Sequence, residues 1–230
     1  DEYHAVIAAS DHLLARIEQQ ANSSKQDQVA DKSLRETAWL SSAHASLALL
    51  DYADAERRYA RAVDLLSVPS IGLNEKSARA RVELLAQTVD NLAASIYKQG
   101  EQLSDSGRLS DAAAKFMQVV TVAPSSSLVS TAIYDAGMLF YKAQAWTDAI
   151  ATMEQFQSRY PNDARLVNFP PRLLEAKKAI GDYVGAAEQA MLIYHHHRDQ
   201  AKAASKQQKL SSKVESGVCL LYTSDAADES

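Results

Sequence analysis

The run IYDAGMLFYKAQAWTDAIATMEQFQSRYP, residues 133–161, decides the fold, because shifting it by 37 residues in either direction finds it again. Trp146 falls in register with Leu109 and Tyr183, and Ala149 with Ala112 and Ala186. Met153 matches Phe116, and Phe156 matches Val119 and Ile193. Pro161 repeats Pro124, Gly137 repeats Gly100, and Ile133 repeats Ile96. A fixed period of this size signals stacked supersecondary units, in which function sits on a surface more often than in a catalytic pocket.

Spacing within one unit predicts a pair of antiparallel helices. Ala112 has a methyl group where two backbones must approach, and Phe116 and Val119 follow on the same helical face. Pro124 and Pro161 end a helix, lacking the amide donor and forcing the preceding residue out of helical geometry. Gly107 and Gly181 suit the tight turn between the helices, whereas Gln144 occupies that place in the middle unit.

This order of residues resembles the tetratricopeptide repeat, a helix–turn–helix of about 34 residues, here lengthened in the loop after each proline. The first unit carries Gly100, Leu109, Ala112, Phe116, Val119 and Pro124, and the second Gly137, Trp146, Ala149, Phe156 and Pro161. The third keeps Gly181, Tyr183, Ala186 and Ile193 but begins its first helix at Pro170 and Pro171, which shortens that helix without excluding it. A diverged unit lies upstream in Trp39, Tyr52, Ala55, Tyr59 and Ala62, so the likeness spans residues 36–197. It implies an all-α, right-handed α-solenoid of antiparallel helix pairs, a superhelix whose concave groove holds a protein or peptide partner. The groove positions it implies are Tyr97, Lys98, Glu101 and Asp105, then Tyr134, Asp135, Met138, Tyr141 and Lys142, then Arg172, Glu175 and Lys178. By period these face away from the packing surface of Ala112 and Phe116. Glu101, Asp135 and Glu175 interleave with the basic groups, which speaks against a clamp for a carboxylate-terminated peptide.

Seven glycines and five prolines in 230 residues are few, and no stretch alternates as a strand does. The map is therefore helical throughout. Residues 1–35 read as an N-terminal helix (2–21) and a polar linker from Asn22 to Ser33, with an Asn-Ser-Ser sequon at its start. The array of 36–197 comprises a diverged pair (36–69), a long helix (74–105) and repeats (93–197). Pro69 and Gly72 break the chain between the first two. Residues 198–218, with Lys202, Lys206, Lys209 and Lys213, form a polar helical or frayed tail. Residues 219–229, from Cys219 to Glu229, resemble a translated transposase-end sequencing adapter, so 219–230 read as a non-native tail and Cys219 carries no thiol chemistry. The start at Asp1 and this tail together read as an internal fragment.

A net charge of −5 argues against a nucleic-acid groove. No glycine-rich phosphate loop, His-Glu-x-x-His or Cys-x-x-Cys motif is present, so no catalytic residue, cofactor or metal is expected. His195, His196 and His197 point about 100° apart on a helix and cannot converge on one ion. Acidic pairs such as Asp51 and Asp54 read as solvated helix faces. No run reaches the length of a membrane span. Phe156-x-x-x-Tyr160-Pro161 resembles repeat ends in bacterial envelope proteins, outer-membrane assembly lipoproteins and cell-division coordinators among them, which implies a periplasmic or outer-membrane-associated scaffold without catalysis. The alternatives are a cytosolic adaptor, or the helical portion of a larger enzyme such as a murein hydrolase or transferase. Terminal helices with uncovered apolar faces predict self-association.

Overall fold

The computed structural model describes residues 2–19, 25–69 and 74–225, with side chains described within 2–19, 31–69 and 74–208. The sequon at Asn22 and the break residue Gly72 lie outside the described residues. Within them the chain is all-helical: α1 (Glu2–Gln19), α2 (Lys25–Ala48), α3 (Tyr52–Ser67), α4 (Glu75–Asp105), α5 (Leu109–Val122), α6 (Val129–Lys142), α7 (Trp146–Arg159), α8 (Phe169–Ala179) and α9 (Tyr183–Asp225). A short 3-10 turn (Ala164–Asn168) precedes α8. The chain divides into two compact units, residues 1–163 and 164–230. In the first, each helix packs on the next from α1 to α7; in the second, α8 packs on α9. Sequential pairing of antiparallel helices without strands is the architecture of an α-solenoid.

One turn, made four times among the described residues, sets this pattern. Leu50, Gly107, Gln144 and Gly181 all adopt left-handed backbone geometry, with φ of 61°, 80°, 58° and 81°. Each closes the preceding helix with the same pair of bonds. Around Gly107, Arg108 N donates to Leu103 O (2.9 Å) and Gly107 N to Ser104 O (2.9 Å). Around Gln144, Ala145 N reaches Phe140 O (2.9 Å) and Gln144 N reaches Tyr141 O (3.0 Å). Asp51 and Asp182 repeat the longer bond to Ser46 O and Lys177 O. This is the Schellman closure, and the sequence supplies glycine for it only twice. The far end of each unit is equally regular. Ala123 (φ −131°, ψ 58°) and Tyr160 (φ −132°, ψ 61°) precede Pro124 and Pro161 and leave the helix in the same way.

The core follows the 37-residue register. Ala112, Ala149 and Ala186 are all buried, as are Phe116, Val119, Met153 and Phe156. Glycine at Gly100 answers a steric need, since an added Cβ would stand 2.4 Å from Cε1 of Phe116. At Gly137 the same atom would meet Cγ of Met153 at 3.1 Å, a flexible neighbour. Tyr59 fills the upstream core: its ring is fully buried with the hydroxyl unpartnered, and burial pushes its pKa up to about 12. The longer inter-unit loop is strapped down by α4: Asp90 Oδ1 accepts from Ser126 Oγ (2.6 Å) and Ser127 N (2.9 Å).

One reading needs correction. Residues 25–33 of the polar segment are helix and not linker, because α2 begins at Lys25. Lysine, glutamine and alanine are good helix formers whether or not they are buried, so polarity is no sign of a break. Tyr183 repeats Leu109 and Trp146 in sequence, yet it is 71% exposed where those two are half-buried.

Three substitutions separate these causes. Gly100→Ala is expected to lower stability by about 2 kcal/mol, and Gly137→Ala by clearly less, because only the second neighbour can yield. Gln144→Gly should instead raise stability by about 0.5–1 kcal/mol by relieving the left-handed residue. Urea denaturation monitored by circular dichroism reads all three.

Candidate functional site

Hydrogen bonds in the first unit sort its helices into two layers. Tyr97 of α4 donates to Asp135 Oδ2 of α6 (2.5 Å), and Arg81 of α4 forks onto Glu36 of α2 (2.8 and 3.1 Å). In the other layer, Arg58 of α3 forks onto Asp11 of α1 (2.6 and 3.0 Å). Lys115 and Gln118 of α5 reach Glu56 of α3 (2.9 and 2.7 Å). Thus α2, α4 and α6 form one face, and α1, α3 and α5 the other. The residues that the repeat resemblance assigns to a groove in this unit all lie on α4 and α6.

The structure brings some of them together. Tyr97 and Asp135 are bonded directly across two repeats, and Lys98 pairs with Glu101 (2.6 Å) on the same helix. Lys98 and Lys142 are exposed; Glu101, Asp135 and Met138 are half-buried. Burial first, then the Asp135 hydrogen bond, pushes the Tyr97 hydroxyl well above the usual tyrosine range. The Glu101 carboxylate raises Lys98 in turn. Asp105 is exposed at the end of α4. Arg172, Glu175 and Lys178 belong to α8 in the second unit, where Arg172 Nη1 donates to Asn168 O (2.6 Å).

The tyrosines do not simply face away from the packing surface. Tyr97 stacks on Phe116 (ring centroids 4.5 Å, 26°), Tyr134 meets Phe156 edge-on at 5.7 Å, and Tyr141 meets Trp146 at 5.7 Å. Each is half-buried. A phenol has an apolar body long enough to lie against the core while its hydroxyl reaches the surface. The face is therefore an aromatic floor braced from beneath, with charged groups at its rim.

Sequence reasoning misses the ionic cluster of the opposite layer. Asp54 is no solvated acid: Ser46 Oγ donates to its Oδ2 (2.5 Å), Arg58 Nε does likewise (2.6 Å), and Arg57 adds a third bond. Burial alone would push this carboxyl up, but the Ser46 hydroxyl and the Arg58 guanidinium outweigh it and hold the pKa below its ordinary value. Asp51 caps α3 by accepting from Asp54 N (3.0 Å). The signal in the sequence is the Asp54/Arg58 spacing of four residues, which alone does not reveal burial.

Among the described residues no three His, Cys, Asp or Glu side chains gather as metal ligands, and none of the helices is long and apolar enough to cross a membrane. His195 leans on Tyr194, and His196 Nε2 lies 2.8 Å from Gln200 Nε2.

Removing Arg58 leaves Asp54 half-buried without its main counter-ion. Arg58→Ala is expected to cost about 2–4 kcal/mol in chemical denaturation, against under about 0.5 kcal/mol for exposed Lys98→Ala. Because Asp54 is depressed in the folded state, its contribution is complete above the unfolded carboxylate pKa of about 3.9 and disappears as pH falls through the lower folded value. A stability–pH series in wild type should show that acid loss, and Asp54→Asn should flatten it.

Residues 131–163, which span α6 and α7, match the tetratricopeptide repeat family model, while no curated protein matches the chain.

Proposed function

We propose that the chain is a non-catalytic scaffold that holds a polypeptide along the face made by α4 and α6. Tetratricopeptide repeats support protein–protein interaction in general, and the repeat match of residues 131–163 supports that role here. The observation that carries the proposal is the construction of the face. Tyr97, Tyr134 and Tyr141 are braced against Phe116, Phe156 and Trp146, so their side-chain entropy is already lost before any partner arrives. Lys98, Glu101, Asp135 and Lys142 surround them with both signs of charge. An amphipathic peptide with alternating charges suits such a floor better than a uniformly acidic one.

The setting we propose is the bacterial envelope, as a periplasmic or outer-membrane-associated protein. It is supported by the resemblance of the Phe156-x-x-x-Tyr160-Pro161 helix end to repeat ends of bacterial envelope proteins.

Photo-crosslinking in the native cell tests the face. A photoreactive phenylalanine at Lys98, Met138 or Lys142 should capture a protein, whereas the same group at Ala114, Ala151 or Gln155 on α5 and α7 should not. Capture from the second set alone would move the binding surface to α5 and α7. Protease accessibility in spheroplasts of cells expressing the protein tests the location; full protection after outer-membrane removal would end the envelope assignment.

A further inference from the structure

The second unit carries a surface that the groove reading leaves unused. Of the exposed large hydrophobic residues, Ile180, Tyr183, Val184, Met191, Leu192 and Tyr194 crowd into one short stretch. Within α9, Tyr183 (71% exposed), Val184 (76%), Met191 (56%) and Tyr194 (60%) share an arc of roughly 100° at helical spacing. The opposite side of the same helix holds Ala186 and Gln189, which are buried. Arg198 and Lys202 carry the open arc onward, and Lys206 follows at its edge. Arg198 approaches its neighbour Asp199 (3.4 Å). The sequence adds Lys209 and Lys213 at matching intervals, in a chain whose net charge is −5.

We propose that this face of α9 docks an amphipathic helix of a partner protein, apolar in one half and acidic in the other. The order of groups along the helix, apolar first and cationic afterwards, selects that occupant. A membrane-surface helix needs its apolar and basic residues on opposite sides, but here they succeed one another on one side. Nucleic acid would use the cations and leave Val184 and Met191 in water. A second copy fits poorly: parallel pairing sets lysine against lysine, and antiparallel pairing sets lysine against the apolar stretch. A partner helix running antiparallel to α9 places its acids in its own N-terminal half, where the helix dipole favours them. Glu188 is exposed at the edge of the apolar arc and calls for a single cation opposite.

The test uses the full chain and a fluorescent helical peptide of about 24 residues, long enough to hold a stable helix. Its N-terminal half carries Glu at i, i+4 and i+8, and its C-terminal half carries Leu at i, i+3 and i+7 with one Lys. Anisotropy should show saturable binding that weakens about tenfold or more for Met191→Asp and for the double variant Lys202→Glu/Lys206→Glu. A Lys-for-Glu peptide should recover binding to the double variant only. All these side chains are exposed, and unchanged circular dichroism excludes unfolding as the cause. The proposal is overturned by any of four results: no binding, equal binding to the double variant, phosphatidylglycerol vesicles bound in place of the peptide, or a dimer in sedimentation that Met191→Asp abolishes. None of these outcomes bears on the α4/α6 face.

Discussion

Everything in the first unit depends on how closely two helices of one hairpin can approach. At the crossing of α4 and α5 the backbone of Gly100 lies against the ring of Phe116, with no room for even a methyl group. Fully buried Ala112 and Ala149 do the same at their own helices. Close approach brings the aromatic and branched residues into full contact, and dispersion between dense neighbours supplies the cohesion that a wide spacing would forfeit. The tight turn at Gly107 and its equivalents serves this approach, since only a left-handed residue returns the chain so abruptly.

Polar bonds then do what apolar contacts do not, which is to fix which helix neighbours which. Bonds from Tyr97 to Asp135, Arg81 to Glu36, Lys115 to Glu56 and Arg58 to Asp11 all skip one helix in the chain. They tie successive units within a layer, while the apolar core ties the two layers together. Buried Arg58 and half-buried Asp54 bond onward to Asp11 of α1 and Ser46 of α2, and losing one partner of such a pair costs more than the intact pair contributes.

Much of this is legible in the residues, and the failures are instructive. The 37-residue register finds the buried alanines and the proline exits because those depend on size and backbone chemistry alone. The start of α2 escapes it because lysine and glutamine report exposure, not the absence of a helix. Tyr183 marks another limit, because periodicity assigns a residue to a face but does not say whether anything covers that face. The three tyrosines of the candidate site resist division between core and surface, since one side chain belongs to both. Asp54 shows the same limit for charge: a spacing of four residues reads alike whether the pair is wet or enclosed.

Helices in the first unit touch chiefly their immediate predecessors and successors, and that locality governs how the chain is made. Contacts between near neighbours in sequence close small loops and cost little entropy, so a hairpin is able to organise as soon as its second helix has left the ribosome. Each finished pair then offers a template for the next. A protein assembled in this order exposes at any moment only its latest unpaired helix, so the hazard of aggregation during synthesis stays confined to a single advancing edge.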